Sequence, residues 1–263
     1  MAPAIPTIDL HTPDGGIPVP LLGFGTWQLL GEQGYRAVSH ALAVGYRHLD
    51  TATAYGNEDV VGRAVADSGL ARDDVFVTTK MPPDAAGRER ETLERSLRQL
   101  GMDHVDLWLV HWPPDGRARP ETWRAFQAAR DEGLTRAIGV SNYSLAQIDE
   151  LVEATGEAPA VNQVPFSPWD YDASLVAGHA ARGVALEGYS PFKRSDVDEP
   201  VLGRIAAAHG VSVRQVILLW HLRHRVMVIP KASRPERIEE NVALDFALSD
   251  EEVAEIDGLA ARR

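Results

Sequence analysis

Hydrophobic residues in this chain come in short unbroken runs, and each run ends on a polar residue. His48-Leu49 ends in Asp50, Val75-Phe76-Val77-Thr78-Thr79 in Lys80, Val105 to Val110 in His111, and Ala137 to Val140 in Ser141-Asn142. Further on, Val161 ends in Asn162-Gln163, Ala185 to Gly188 in Tyr189-Ser190, and Val226 to Ile229 in Pro230-Lys231. Between the runs the apolar positions take a helical period. Tyr35, Val38, Ala41 and Leu42 share one face of a helix expected over Gly34 to Val44; Leu93, Leu97 and Leu100 share another, as do Ile148, Leu151 and Val152, and Val213, Val216, Ile217 and Trp220. Runs that are continuously apolar, not alternating, fit parallel strands covered on both faces. With Leu21 to Thr26 as the first run there are about eight strand–helix units, the repeat number of an α/β (β/α)8 TIM barrel. Ahead of them, Ile5 to Leu10 and Ile17 to Val19 flank the turn signal Asp14-Gly15-Gly16, which predicts an N-terminal β-hairpin. An open doubly wound sheet is the competing architecture. It is disfavoured because GFGTWQ lacks the third glycine of the GxGxxG phosphate fingerprint.

Composition narrows the function more than the fold. The 263 residues suit a single barrel domain, residues 1–263, since such barrels run to roughly 250 residues. A formal net charge of -12 argues against a general nucleic-acid or anionic-membrane binder, which needs a positive surface. The absence of cysteine excludes disulfides, zinc thiolates and a cysteine nucleophile. MAPAIPTIDL has no basic region followed by a long apolar run, and no stretch is long and apolar enough to span a bilayer. A cytoplasmic location is therefore expected.

In a barrel the C-terminal strand ends meet at one face, where active sites form. Asp50, Lys80, His111, Ser141, Asn142, Gln163, Tyr189 and Lys231 are thus expected to converge. The stretch GYRHLDTATAYGNEDVVG sets Asp50 at a strand end and Tyr55 in the next loop, with a helix starting near Glu58. A phenol titrates at about 10 in water, so it is a poor acid at neutral pH unless something stabilises the phenolate. The Lys80 ammonium would do so, and Asp50 would partner the ammonium. That chain makes a tunable proton donor, with His111 to orient a substrate oxygen. No nucleophile is paired with a base, so acyl transfer is disfavoured. Proton donation to a carbonyl oxygen is the natural task, and it requires a hydride. In IPKASRPERIEEN, Lys231 and Arg237 bracket a helix start with Pro235 in its first turn, a good phosphate site.

Together these segments resemble the aldo-keto reductase family along nearly the whole chain. The first signature is GYRHLDTATAYGNEDVVG; LVHWP, GVSN, VNQ and GYSP follow in family order, and IPKASRPERIEEN closes the set. The resemblance implies a barrel that binds a nicotinamide dinucleotide without a Rossmann domain and reduces aldehydes or ketones. It matches Asp50, Tyr55, Lys80 and His111 to the catalytic tetrad, with Tyr55 the general acid. It matches Ser141, Asn142 and Gln163 to the carboxamide contacts, Tyr189 to the aromatic that stacks on the nicotinamide, and Ser190 to a pyrophosphate contact. Lys231 and Arg237 match the 2′-phosphate site, Glu240 and Asn241 the adenine site, and Trp27 and Trp112 the walls of the substrate pocket. NADPH is the expected cofactor, with NADH weaker. The expected partner is a small carbonyl substrate, with neither nucleic acid nor membrane, and monomer is the family default.

The chain also departs from the family. Ala232 stands where a serine usually follows the phosphate lysine, and Arg234 offers a replacement charge. Phe192-Lys193 replaces a leucine-glycine pair in the loop over the cofactor, and Trp169 is expected to line the mouth. The chain stops soon after Leu259, without the long C-terminal loop of many relatives, so an open, aromatic-walled pocket is expected. His221 and His224 lie one helical turn apart, but no third ligand is evident, so no metal site is expected and a solvated helix face is the better reading. His48, Trp108 and Trp220 are expected in the core. A cofactor-binding sensor or structural protein with little turnover is the alternative function, and a barrel hydrolase a weaker one.

Overall fold

The computed structural model describes residues 5–193, 196 and 198–262. The first four residues, part of the MAPAIPTIDL stretch in which no secretory signal is expected, lie outside that set, as do Arg194, Ser195, Val197 and Arg263. The chain opens with the antiparallel hairpin β1 (Thr7–Thr12) and β2 (Gly15–Pro20). Eight parallel strands follow: β3 (Phe24–Gly25), β4 (His48–Asp50), β5 (Phe76–Met81), β6 (Val105–Val110), β7 (Thr135–Ser141), β8 (Val161–Pro165), β9 (Ala185–Tyr189) and β10 (Met227–Val228). Each pairs with the next in sequence, as right-handed strand–helix–strand units require. The sheet closes on itself where Leu22 bridges Val228, with Gly23 N donating to Val228 O at 2.9 Å and Val228 N to Leu21 O at 2.8 Å. The fold is therefore the expected TIM barrel with its hairpin.

The unbroken apolar runs have the predicted cause. Every residue of β5 and β6 is buried, because one face fills the barrel and the other meets a helix. Outside, Trp108 of β6 stacks on Phe126 of the helix Pro120–Asp131, with ring centroids 3.5 Å apart. Inside, Leu107, Leu109 and Met227 meet Leu10, Ile17 and Val19 of the hairpin, which stoppers the N-terminal end of the barrel. Three helix starts, at Ser144, Ser212 and Ser249, are fixed by reciprocal capping boxes.

Several local readings shift. The first helix runs Gly31–Ala43, beginning a turn earlier than Gly34. Its Val38, Ala41 and Leu42 are buried as expected, but Val152 of Leu145–Thr155 is 36% exposed and lies off the face of Ile148 and Leu151. His221 is fully buried, not solvated: Nδ1 meets Ile217 O at 2.7 Å and Nε2 meets Phe166 O at 3.1 Å, while His224 pairs with Asp257. The alternating arginines concealed that this helix faces the core on one side. His48, Trp108 and Trp220 are buried as expected. Among the described residues, no single helix is long and apolar enough to cross a membrane.

Gly62 shows how tightly the helices pack around the site. A Cβ there would stand 2.0 Å from the carbonyl oxygen of Leu100, at the end of the helix Glu89–Leu100. The helix Glu58–Asp67 that carries Gly62 continues from the Tyr55 loop. We expect Gly62→Ala to lower the unfolding free energy by about 3 kcal/mol through overpacking. A lower urea midpoint checks this; an unchanged midpoint would mean the two helices separate freely.

Candidate active site

Asp50 ends β4 and lies opposite Thr78 of β5, so Lys80, two residues on, projects from the same inward face. Lys80 is fully buried, and its Nζ donates three hydrogen bonds: to Asp50 Oδ1 at 2.6 Å, Thr51 O at 2.9 Å and Tyr55 Oη at 3.4 Å. All three ammonium hydrogens are therefore engaged. Burial by itself would lower the Lys80 pKa, but chiefly the charge of Asp50 reverses this and holds it above the ordinary lysine value.

Tyr55 closes a 3₁₀ turn, Thr53–Tyr55, after β4. Asn57 fixes that turn from behind. Its Nδ2 donates to Thr26 O at 2.8 Å and Leu29 O at 2.9 Å, and its Oδ1 accepts from Thr51 Oγ1 at 2.7 Å. Burial pushes the Tyr55 phenol above its usual pKa despite the pull of Lys80. This differs from the expectation that the ammonium dominates. The reason is that burial, the largest effect, outweighs the Lys80 charge, with the Asp50 charge adding to it. His111 follows β6 and packs edge-to-face on Tyr55, with centroids 5.7 Å apart. Burial and then the Lys80 charge push its pKa down to about 3, so the imidazole is neutral.

A second set of groups lines the same cavity of about 530 Å³. Ser141 Oγ donates to Gln163 O at 2.8 Å, and Asn142 Nδ2 donates to His111 O at 3.1 Å. Tyr189 Oη donates to Asn142 Oδ1 at 2.8 Å. Asn142 and Ser190 hold left-handed backbones, with φ of 64° and 55°, a strained conformation that recurs at functional sites. Gln163 Nε2 donates to Asp50 Oδ2 at 2.8 Å and to Glu187 Oε2 at 2.7 Å, leaving its carbonyl oxygen for the cavity.

The convergence expected of the strand ends is realised: Asp50, His111, Ser141, Asn142, Gln163, Tyr189 and Lys231 line the cavity, and Lys80 lies directly beneath it. Tyr55 and Ser190 line it as well, while Trp27 and Trp112, 50% and 49% exposed, stand at its mouth. Arg237, Glu240 and Asn241 are not brought to this cavity. They lie on the helix Pro235–Val242, where Arg237 pairs with Glu240 and Asn241 Oδ1 is buried without a hydrogen-bond partner. Trp169 is not among the residues that line the cavity; it lies half-buried against a group of core residues that includes Phe166 and Trp220. Phe192 and Lys193 line the cavity, with the Lys193 ammonium 6.0 Å from the centre of the Trp27 ring. Asn57 and Glu187 carried no signal beyond being polar residues inside otherwise apolar or turn-like segments.

Comparisons with known proteins agree with this geometry. The model described as "Aldo/keto reductase family" matches residues 21–261. Morphine 6-dehydrogenase of Pseudomonas putida is 39% identical, with 98% of this chain and 93% of that protein covered. The crystal structure of an aldo/keto reductase from Brucella melitensis superposes with a TM-score of 0.92 at 40% identity, covering 97% of this chain and 98% of that one. A Bombyx mori aldo-keto reductase solved in complex with NADP gives a TM-score of 0.89 at 34% identity, covering 97% and 92%. The chain belongs to the aldo/keto reductase family and is an oxidoreductase of that family.

Proposed function

We propose that this protein reduces small aldehydes and ketones to alcohols, with NADPH as cofactor and Tyr55 as general acid. The observation that carries this reading is the buried Lys80 ammonium, held by Asp50 and reaching the Tyr55 hydroxyl at the floor of an open cavity. A bound nicotinamide dinucleotide would supply the hydride. The residues here suit it: the Gln163 carbonyl oxygen accepts from a carboxamide, Ser141 and Asn142 stand beside it, and the Tyr189 ring offers a face for stacking. Ser190 takes the pyrophosphate, Lys231 and Arg237 the 2′-phosphate, and Glu240 and Asn241 the adenine end. Ala232 supplies no hydroxyl to that phosphate, so the two cations carry its recognition. The Bombyx mori relative's complex with NADP supports the same cofactor.

At the reacting end, the neutral His111 offers a hydrogen bond to the substrate oxygen. Tyr55 keeps its proton in the resting site, because burial favours the phenol. As negative charge develops on the carbonyl oxygen, the phenol releases its proton to it, and Lys80 stabilises the phenolate left behind. Trp27 and Trp112 give the substrate apolar walls. A cofactor-binding protein with little turnover would have no use for a phenol, an ammonium and a carboxylate aligned in this way. One relative is named a dehydrogenase, consistent with chemistry that runs in both directions.

Two predictions follow from these assignments. Tyr55→Phe lowers kcat for carbonyl reduction by about 10²–10⁴-fold, the usual worth of a general acid, while NADPH affinity by fluorescence titration holds; full retained turnover would remove Tyr55 as the acid. Lys231→Ala combined with Arg237→Ala weakens NADPH by about 10–100-fold, as lost charge-assisted hydrogen bonds would, and NADH by less than about twofold. Equal weakening of both cofactors would detach these cations from the 2′-phosphate.

A further inference from the structure

Glu187 sits inside the barrel on β9, opposite Gln163 on one side and Met227 on the other. It is fully buried and takes no part in the chemistry described above. Its Oε2 accepts from Gln163 Nε2 at 2.7 Å, and the other hydrogen of that nitrogen goes to Asp50 Oδ2 at 2.8 Å. Its Oε1 is buried without a hydrogen-bond partner and lies 3.5 Å from His48 Nε2. No cation is available to it, since Lys80 directs its three hydrogens to Asp50, Thr51 and Tyr55.

The proton of His48 is fixed from the far side of the ring. Nδ1 faces Pro20 O at 3.3 Å, and a carbonyl only accepts, so Nδ1 carries the hydrogen and Nε2 is a lone pair. An ionised Glu187 would then point one oxygen at a lone pair and share a single amide with the Asp50 carboxylate. A protonated Glu187 removes both conflicts: Oε1–H can turn toward Nε2, whose lone pair it shares with the Thr78 hydroxyl, while Oε2 accepts from Gln163 without a second negative charge beside Asp50. The titratable groups that face Glu187 are His48 and Asp50 from β4 and Lys80 from β5, with Tyr55 beyond Lys80; Thr78 Oγ1, 3.2 Å from His48 Nε2, completes the surroundings. Burial, and next the Asp50 charge, push the Glu187 carboxyl up to about 8, and burial pushes His48 down to about 4. Both agree with the proton inventory read from the contacts.

We propose that Glu187 is a neutral carboxylic acid that acts as a positioning residue. It locks the Gln163 amide so that only an acceptor faces the cofactor, and by staying uncharged it leaves the Lys80 ammonium to Asp50 and Tyr55. Both halves rest on the reading above, the first on its cofactor site and the second on its proton donor; the protonation state of Glu187 rests on neither.

The experiment has two arms. In the first, infrared difference spectra of wild type against Glu187→Gln, without cofactor, are followed from pH 6 to pH 9. A protonated carboxyl band assigned to Glu187 is expected at pH 6–7 and fades around pH 8. In the second, NADPH is titrated by fluorescence at pH 6.5. Glu187→Ala weakens binding about tenfold, the scale of one lost buried hydrogen bond. Glu187→Gln, which reproduces both hydrogen bonds of the neutral acid, recovers affinity to within about threefold of wild type. Above pH 8 the wild-type affinity falls while that of Glu187→Gln does not. An ionised Glu187 at pH 6–7, or Glu187→Gln as weak as Glu187→Ala, overturns the proposal. Should Glu187→Ala fail to fold, the infrared arm and the pH dependence of Glu187→Gln still decide. A wild type that binds NADPH yet reduces no carbonyl would sink the reductase reading and leave both arms readable.

Discussion

A fully buried ammonium is the constraint around which this barrel is arranged. Lys80 has no water to solvate it, so each of its hydrogens must find an oxygen inside the protein. Those oxygens come from the end of β4, the peptide after it and the phenol of the next turn. One charge thereby ties the segment from Asp50 to Tyr55 to β5 at three points. A buried ion pair of this kind contributes little net stability, because desolvation offsets the attraction. What it secures is geometry: the Tyr55 hydroxyl is held beside the ammonium at the cavity.

The rest of the interior is arranged to keep that charge unique. His48 and His111 are both held neutral, the first by burial, the second by burial and then by Lys80 itself. Asp50 gives one oxygen to Lys80 and the other to Gln163. The Lys80–Tyr55 side of the cavity and the Gln163 side are consequently joined through a single carboxylate. Burial strengthens these contacts and also makes any unpaired group expensive, which is why the side chains here are almost all spoken for.

Much of this was legible before any coordinates. The strand ends were legible because each apolar run gives way to a polar residue, and Asp50, Lys80 and His111 are those residues; that Asp50 and Lys80 would be buried there was not. The helix start at Glu58 followed from the break at Gly56-Asn57. The role of Asn57 itself did not, since a turn asparagine and a clasp look alike when its three partners are unknown. Glu187 was hidden for a related reason: the run Ala185 to Gly188 reads as strand whatever its third residue is, and only closure of the barrel brings Gln163 and His48 to it. The buried His221 escaped notice because its flanking arginines suggested water. Trp169 was assigned to the mouth by its position in the chain, but it lies half-buried against the core cluster around Phe166 and Trp220.

The Asn57 clasp has a further meaning for how such a site diversifies. Its two amide hydrogens grip the backbone on either side of Trp27, at Thr26 and Leu29, while its oxygen grips the peptide segment that leads to Tyr55. The half-exposed indole therefore stands on a mount bolted at both ends to the same bracket that holds the acid. A different side chain can be fitted to that mount with no retuning of the machinery beneath it. The indole at the cavity mouth is in this way a replaceable part, and the turn that carries Tyr55 a fixed one.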